Sequence, residues 1–245
     1  MIIPKDLIQI LRSAKFVTAL TGAGVSKESG IPTFREAQTG LWARYDPMEL
    51  ATPLAFKKDP KLVWKWYQWR RELISSAEPN PGHYALKELE LRVPKFTLIT
   101  QNIDGFHKQA GSKNIIELHG NINRNKGVDE GIVVNSWKDN DAIPPHCSNC
   151  GGLIRPDVVW FGENLPSVVI NDAIHAAQTA EVFFSIGTST LVHPAASLPI
   201  YAMNGGAIVV EINPDETPIS QKVHYAIREP SGKVLPHLIQ QVWNV

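Results

Sequence analysis

The sequence predicts an α/β protein with a Rossmann-like parallel sheet that carries helices on both faces, plus a small module formed by two insertions. Apolar runs of strand length alternate with segments of helical period along most of the chain, which is typical of parallel sheets. Polar residues directly follow several of those runs. Two stretches interrupt the alternation and indicate the insertions: one is rich in tryptophan, proline and charge, and the other holds a cysteine pair.

The predicted elements follow one another in order along the chain. The pattern predicts helices at 5–14, 61–76, 83–91 and 168–180 and after Pro194, and strands at 16–20, 96–100, 115–118, about 157–161, 182–187 and 207–212. In the first helix, Leu7, Ile10 and Leu11 share one face. Pro81-Gly82 is a helix breaker that sets the boundary before the third helix.

We expect one domain over residues 1–245 with two parts of unequal size, since this length suits one large or two small domains. The larger, Rossmann-like part takes in about 1–35, 83–120 and 156–245, and the small module takes in about 36–82 and 121–155.

Composition and charge exclude several classes of protein. Lys and Arg (24) balance Asp and Glu (24), so the chain lacks the positive charge of a dedicated nucleic-acid binder. No apolar stretch approaches the ~18–20 residues of a membrane span, and the first residues lack the pattern of a secretory signal. We therefore expect a soluble cytoplasmic protein with no nucleic-acid and no membrane partner. Cys147 and Cys150, the two cysteines, are spaced for a metal or redox pair rather than a structural disulfide.

A glycine turn follows the first predicted strand. Gly22 and Gly24 lack side chains, so backbone amides there can approach a pyrophosphate at the start of a helix. The turn does not match the dehydrogenase fingerprint G-x-G-x-x-G, because position 27 is lysine, and no second strand is predicted before residue 96. An ordinary dehydrogenase is therefore disfavoured. The alternative to phosphate binding is a tight strand-to-helix turn with no ligand.

Other predicted strands also end in polar residues. Because ligands bind outside the carboxyl ends of parallel strands, these residues could face one crevice. Amide and carboxylate side chains could fix ribose hydroxyls and a carboxamide there, or could cap the next helix. A histidine could act as a base at neutral pH or could be structural. The polar ends are Gln101, Asn102 and Asp104, His119 before Gly120, Gly187-Thr188-Ser189, and Asn213.

Tyr67 and Arg70 lie three residues apart on a predicted helix and so share one face. They could line a pocket in which a phenol and a guanidinium bind a carboxylate, for which the planar fork of arginine is suited. The alternative is a surface arginine whose stem packs on aromatic rings.

Taken together, the motifs resemble the sirtuin family of NAD-dependent protein-lysine deacylases. The resemblance spans nearly the whole chain in the order of the family: residues 22–26 (GAGVS), 30–35 (GIPTFR), 100–104 (TQNID), 119–120 (HG), 161–163 (FGE), 187–189 (GTS) and 211–213 (EIN). Residues 51–56 (ATPLAF) and 67–70 (YQWR) resemble the class III branch, which removes succinyl, malonyl and glutaryl groups. In that branch the tyrosine and arginine bind the acyl carboxylate.

The resemblance implies a role for each matching residue. The implied catalytic residues are His119 and Asn102. The implied NAD-binding residues are Gly22, Ala23, Gly24, Ser26, Phe34, Arg35, Gln101, Asn102, Ile103, Asp104, Gly187, Thr188, Ser189, Asn213 and Ser231, of which the last three surround the adenosine half. The implied substrate-binding residues are Tyr67 and Arg70 for the acyl group, and Val159, Trp160, Phe161 and Gly162 for backbone pairing with the peptide.

The implied reaction consumes NAD as a co-substrate. The acyl oxygen of the modified lysine attacks the nicotinamide ribose, nicotinamide leaves, and His119 acts as general base on a ribose hydroxyl. The products are nicotinamide, O-acyl-ADP-ribose and free lysine, with succinyl and malonyl preferred over acetyl. The partners are therefore NAD and acyl-lysine proteins or peptides. The alternatives are an NAD-dependent protein ADP-ribosyltransferase and a non-catalytic module that binds NAD or ADP-ribose.

One feature departs from the family pattern. Sirtuins carry two Cys-x-x-Cys pairs on one zinc, whereas this chain has only Cys147 and Cys150, and the first pair would fall near residues 127–130. A structural zinc site normally has four ligands, so the two thiols could recruit Asp129, Glu130 or His146, or the metal could be lost. Zinc in this family supports structure, so its loss need not abolish activity.

Overall fold

A computed structural model describes residues 3–33, 43, 45–135, 137–138 and 142–244 of the chain. Its strands are β1 Phe16–Thr21, β2 Lys95–Thr100, β3 Ile115–Glu117, β4 Gly120–Gly127, β5 Val133–Val134, β6 Trp137–Lys138, β7 His146–Cys147, β8 Ile154–Val158, β9 Val182–Ile186, β10 Ile208–Ile212 and β11 Tyr225–Ile227. Its helices are α1 Lys5–Ser13, α2 Ala23–Lys27, α3 Pro47–Leu50, α4 Pro53–Lys58, α5 Pro60–Ser75, α6 Pro81–Arg92, α7 Phe106–Gln109, α8 Ser167–Thr179, α9 Leu198–Asn204 and α10 Ser231–Trp243.

Six strands form the main sheet in the order β11-β10-β9-β1-β2-β3, and every neighbouring pair is parallel. Val17 of β1 lies opposite Phe96 of β2 on one side and Val182 of β9 on the other. From β1 the chain adds β2 and β3 in one direction and later β9, β10 and β11 in the other. The order therefore reverses beside β1, which is where ligands bind in open α/β sheets.

The strands form because their runs of apolar residues are covered on both faces, as in most parallel sheets. Every residue of β1 is buried. One face packs against α1, α6 and α10, whose contributions include Leu7, Leu86 and Leu238. The opposite face packs against α8 and α9, which contribute Ala173 and Leu198. The predicted parallel sheet with helices on both faces is confirmed.

A third apolar cluster lies beyond the carboxyl end of the sheet. It joins residues of α3, α4 and α5 to the loop after β2 and to the end of β8, and it includes Trp66, Tyr67, Ile103, Val158 and Trp160. The polar segment β4 pairs with β8 and β5 in an antiparallel sheet, and β6 pairs with β7. The small antiparallel sheet is tied to the loop after β2, because the Ile122 N–H of β4 donates to the Ile103 carbonyl oxygen at 2.9 Å.

The structure corrects some predicted elements. The strand predicted at about 157–161 is wrong in its bounds: β8 begins at Ile154 and ends at Val158. It ends there because the Trp160 N–H bonds to a Glu163 carboxylate oxygen at 2.8 Å instead of to a strand. The helix predicted from residue 83 begins at Pro81, since the Asn80 side chain accepts a hydrogen bond from the Gly82 N–H at 2.9 Å. The helix α10 and the strand β4 were not predicted.

Among the described residues, no helix is both long enough and apolar enough to cross a lipid bilayer.

Candidate functional site

Four strand-end loops meet at the carboxyl edge of the main sheet. The Gly24 N–H donates to the Gly187 carbonyl oxygen at 2.8 Å. Gln101 Nε2 donates to Thr188 Oγ1 at 2.9 Å, and Asn213 Nδ2 donates to the Thr188 carbonyl oxygen at 2.9 Å. The loops after β1, β2, β9 and β10 are therefore bonded to one another and form one continuous surface.

The glycines of this surface are required by close backbone packing. A Cβ atom at Gly22 or Gly24 would lie 2.8 or 2.7 Å from the Gly187 carbonyl oxygen. Gly187 has φ +56°, in the left-handed region, and a Cβ there would lie 2.5 Å from the Val25 nitrogen. Ala23 and Gly24 keep part of their surface exposed at the start of α2. The Gly22, Gly24 and Val25 N–H groups are bonded within the chain, so a phosphate would have to bind at the Ala23 N–H and the half-buried surface around it.

A buried polar network connects the loop after β1 with the loop after β2. Asn102 Nδ2 donates to Ser26 Oγ at 3.1 Å, and Ser26 Oγ donates to Asp104 Oδ2 at 2.7 Å. The other Asp104 oxygen accepts from the Phe106 N–H at 2.9 Å and so caps α7. Burial raises the pKa of Asp104, and its hydrogen bonds to Phe106 and Ser26 partly oppose that rise. Asp104 therefore accepts the first N–H of α7, as the capping alternative expected, and also fixes Asn102 through Ser26; its role toward a ribose stays a prediction.

His119 has the protonation state of a base. Its Nδ1 lies 3.0 Å from the Gln101 carbonyl oxygen. Because a carbonyl only accepts, Nδ1 carries the proton and Nε2 presents a lone pair. Burial lowers the pKa of His119, while the bond to Gln101 partly opposes that effect. The ring is consequently neutral near pH 7, and its orientation is fixed by the loop that carries Asn102.

His83 is a site residue that sequence reasoning placed only on a helix. The Asn80 N–H donates to His83 Nδ1 at 3.2 Å, so Nε2 carries the proton, and Nε2 lies 3.5 Å from Ser26 Oγ. Burial lowers the pKa of His83 to about 4. The spacing of Asn80 and His83, a helix cap and its third residue, was the available signal. The neutral His83 ring thus places an N–H donor beside Ser26 Oγ.

Tyr67 and Arg70 lie on the buried face of α5, so the expectation of a surface arginine is wrong. Tyr67 is fully buried and Arg70 is 5% exposed. The Tyr67 hydroxyl accepts a hydrogen bond from Trp160 Nε1 at 2.9 Å. The Arg70 guanidinium lies over the Trp66 ring, 5.3 Å from its centroid. Burial lowers the pKa of Arg70, an effect that Tyr67 and Asp104 partly oppose by charge interaction, and burial raises the pKa of Tyr67.

The segment 159–162 uses three of its backbone N–H groups within the chain. The Val159 N–H donates to the His119 carbonyl oxygen at 2.9 Å, and the Phe161 N–H donates to the Ala51 carbonyl oxygen at 2.9 Å. The Trp160 N–H is bonded to Glu163, which Arg155 holds with two further bonds of 2.7 Å. Backbone pairing with a peptide must therefore use other groups of this segment. Gly162, which is exposed and has φ +88°, is not one of the three residues whose N–H groups are used in this way.

Residues 22–194 match the Sir2 family. The chain belongs to the Sir2 family. A relative from Caldanaerobacter subterraneus subsp. tengcongensis, named NAD-dependent protein deacylase 1, is 50% identical over 90% of this chain and 91% of its own length. The crystal structure of a Sir2 homologue–NAD complex is 45% identical, with a TM-score of 0.92 over 99% of this chain and 95% of that one. A Sir2–p53 peptide–NAD+ structure is 31% identical, with a TM-score of 0.86 over 98% of both chains.

Not every residue assigned through the sirtuin resemblance lies in the bonded loops. Ser231 stands at the start of α10, where Ser231 Oγ and the Gly232 N–H donate to Glu28 Oε1 at 3.1 and 2.8 Å. These bonds join α10 to the end of α2 rather than to Thr188 or Asn213. Ser189 is half-buried directly after Thr188. Phe34 and Arg35 lie outside the described residues.

The zinc site of the sirtuin family does not fit the residues that the structure describes. Cys147 is buried against Trp64 and Ile154, whereas Cys150 is exposed and accepts a hydrogen bond from the Gly152 N–H at 3.4 Å. In the described ranges, no three His, Cys, Asp or Glu side chains are grouped to hold a metal ion. Asp129, Glu130 and His146 thus do not complete a set with the thiols, and two thiols fall short of the four ligands of structural zinc.

Proposed function

We propose that this member of the Sir2 family, an NAD-dependent protein deacylase, removes succinyl and malonyl groups from lysine in preference to acetyl. The observation that carries the proposal is the pair Tyr67 and Arg70, buried together on α5. Tyr67 belongs to the third apolar cluster together with Trp160 and Ile103, and the Arg70 guanidinium lies over the Trp66 ring of the same cluster.

The chemistry of the pair suits an acidic acyl chain. A guanidinium that is taken out of water loses hydration, which a carboxylate ligand can replace by two parallel charge-assisted hydrogen bonds. Tyr67 accepts from Trp160 Nε1, so its own O–H can donate to the same carboxylate. Burial raises the pKa of Tyr67, which keeps this donor protonated. An acetyl group offers no carboxylate and gains neither interaction.

NAD would supply the ribose carbon that receives the acyl oxygen, with nicotinamide as the leaving group. The half-buried Ala23 backbone would bind its phosphates at the start of α2, since the Gly24 N–H is already bonded to the Gly187 carbonyl oxygen. Asn102 and Asp104 would orient the nicotinamide ribose, with Ser26 and Ile103 holding the loop in place.

The other strand ends would bind the remainder of the dinucleotide. Gln101 and Thr188 join the loops on either side of β1, and Asn213 and Ser189 would surround the adenosine. Ser231, at the start of α10 and bonded to Glu28, would also belong to the adenosine half of the site. Gly22 and Gly187 contribute by allowing the loops to approach.

His119 would act as the general base on a ribose hydroxyl. Its proton sits on Nδ1, against the Gln101 carbonyl, so Nε2 can accept a proton. Its backbone carbonyl binds Val159, the first residue of the segment that would hold the acyl-lysine peptide. Trp160, Phe161 and Gly162 would complete that peptide site.

The test compares matched succinyl-lysine and acetyl-lysine peptides by mass spectrometry, with and without NAD. We expect NAD-dependent loss of succinyl to run well ahead of loss of acetyl. Faster loss of acetyl would overturn the proposed preference and leave the deacylase activity intact. Labelled ADP-ribose that ends on protein would favour a transferase, and NAD binding without nicotinamide release would favour a binding module.

Substitutions on α5 sharpen the test. Arg70→Met removes the guanidinium, and losing one partner of a buried charge pair predicts a drop in desuccinylation of at least about thirtyfold, selectively. Arg71→Met is the matched control, because Arg71 bonds to the Ile122 carbonyl oxygen and Asn125 Oδ1 at 2.7 and 2.6 Å. We expect that variant to change both activities in parallel. Equal losses of both activities in Arg70→Met would contradict a carboxylate-binding role.

A further inference from the structure

His107 is a fully buried histidine that the proposed reaction does not use. It lies on α7, the short helix that Asp104 caps. His107 Nε2 is 2.9 Å from Thr21 Oγ1. Its Nδ1 is buried, with no hydrogen-bond partner among the residues that the structure describes. A polar ring in this position needs a reason, since an apolar side chain of the same volume would avoid the cost of burying that nitrogen.

A chain of hydrogen bonds leads from this ring to Asn102. Thr21 Oγ1 donates to Thr100 Oγ1 at 2.9 Å, and the Asn102 N–H donates to the same Thr100 oxygen at 3.0 Å. Thr21 and Thr100 are the last residues of β1 and β2 and lie opposite each other in the sheet. Thr100 Oγ1 thus accepts two hydrogen bonds, and the second of them fixes the backbone of Asn102 in the loop after β2.

The directions of these bonds fix the role of the histidine. Because Thr21 donates its single proton to Thr100, its oxygen must accept from His107, so Nε2 carries the ring proton. Burial and the neighbouring His83 ring, whose centroid is 4.8 Å away, lower the pKa of His107 well below its ordinary value. The ring therefore stays neutral, and this donor does not change across the physiological pH range.

We propose that His107 is a positioning residue for the deacylase reaction, which holds the backbone of Asn102 in place through Thr21 and Thr100. The Asn102 side chain has a separate support in Ser26. The two supports constrain different atoms of one residue: Ser26 holds the amide group and the threonine pair holds the main chain. Loss of the His107 donor frees Thr21 to turn and loosens the main chain beneath the ribose-binding side chain.

The inference rests on the proposed role of Asn102, but not on the acyl preference. Each variant is therefore assayed with whichever acyl-lysine peptide the unmodified protein turns over faster. A reversal of the succinyl preference leaves this test intact, and absence of nicotinamide release from the unmodified protein would identify a failure of the deacylase assignment itself.

The variants separate hydrogen bonding from packing. His107→Leu removes the donor, whereas His107→Gln places an amide N–H near the position of Nε2. Thr21→Val breaks the next link with almost unchanged volume, and Thr21→Ser retains it. Thr21→Val also tests the chain if His107→Leu proves unable to fold. Urea denaturation verifies that each variant is folded before its kinetics are compared.

We expect His107→Leu and Thr21→Val each to lower kcat for nicotinamide release about tenfold, with a smaller effect on the KM for NAD. The double variant should lose no more than either single variant, because both break one chain. His107→Gln and Thr21→Ser should recover most of the rate. In NMR hydrogen exchange, the Asn102 amide should exchange faster in the two disrupted variants and at the original rate in the two conservative ones.

Three results would overturn the proposal. Equal losses in His107→Leu and His107→Gln would show that ring packing matters rather than the donor. Additive losses in the double variant would show that His107 and Thr21 act separately. Unchanged exchange at the Asn102 amide in the disrupted variants would show that the chain does not hold that residue.

Discussion

Replacing Gly187 with alanine tests whether the contact between two strand-end loops builds the NAD site. Gly187 has φ +56°, and its carbonyl accepts the Gly24 N–H at 2.8 Å. The new Cβ would lie 2.5 Å from the Val25 nitrogen and 2.8 Å from the Gly24 carbonyl carbon. Both are backbone atoms, so no side-chain rotation can relieve the clash and the glycine loop must move.

The magnitude follows from two contributions. An alanine held in the left-handed region costs about 1–2 kcal/mol. Forcing an extra carbon into a closely packed site adds about 1–3 kcal/mol. We therefore expect Gly187→Ala to lower the free energy of unfolding by about 2–5 kcal/mol. Gly206→Ala is the matched control: Gly206 has φ +88° but no heavy atom within 4 Å of its Cβ position, so only the first contribution applies.

Two assays are needed. Urea denaturation followed by circular dichroism gives the free energies of unfolding, and calorimetric titration with ADP-ribose gives the binding constants. Because Gly187 touches the loop that would bind the phosphates, we expect ADP-ribose affinity to fall at least about tenfold in Gly187→Ala. Gly206 precedes β10, at the opposite end of the sheet, so its variant should bind normally. Equal stability and equal affinity in the two variants would refute the reasoning.

Two further predictions concern ionisation and the cysteine pair. As a base, His119 must be neutral, and burial lowers its pKa from the ordinary 6.5. We therefore expect kcat/KM to have reached its maximum by pH 7 and to fall only below pH 6.5. An acid midpoint above 6.5 in the pH–rate profile would contradict this assignment. Cys147→Ser places a hydroxyl against Trp64 and Ile154 and should cost about 1–3 kcal/mol in urea denaturation, whereas Cys150→Ser, at an exposed site, should change stability by less than about 0.5 kcal/mol. Equal losses in both cysteine variants, reproduced by a chelator, would instead indicate a metal held by both thiols.

The sequence was sufficient to predict the sheet and the meeting of its loops. Strands of a parallel sheet that is covered on both faces are continuous apolar runs, and β1, β2, β9 and β10 have that form. Because parallel strands end at the same edge, polar residues after different runs must come together. The bonds from Gly24 to Gly187 and from Gln101 to Thr188 confirm that expectation.

Contacts between distant segments could not be predicted from local pattern. Tyr67 and Trp160 lie far apart in the chain, and neither helical spacing nor composition indicates that the indole donates to the phenol. The burial of Arg70 depends on packing of the same kind, which is why helical spacing alone left a surface arginine open as an alternative. His107 was missed because its partners, Thr21 and Thr100, read only as the ends of strands. The division of the chain into two parts stays a prediction.

On the proposed assignments, the position of His119 ties the general base both to the loop after β2 and to the peptide segment. Its ring bonds to the Gln101 carbonyl on the sheet side, and its backbone carbonyl accepts the Val159 N–H on the peptide side. The segment that starts at Val159 therefore cannot move without acting on the backbone of the base. Tyr67 and Arg70, which we propose to hold the acyl chain, lie on α5, and Tyr67 is bonded to that segment through Trp160 Nε1. A substitution of Arg70 is therefore the sharper test of acyl selectivity, because it leaves in place the bond from Trp160 to Tyr67 that ties α5 to the segment beside His119.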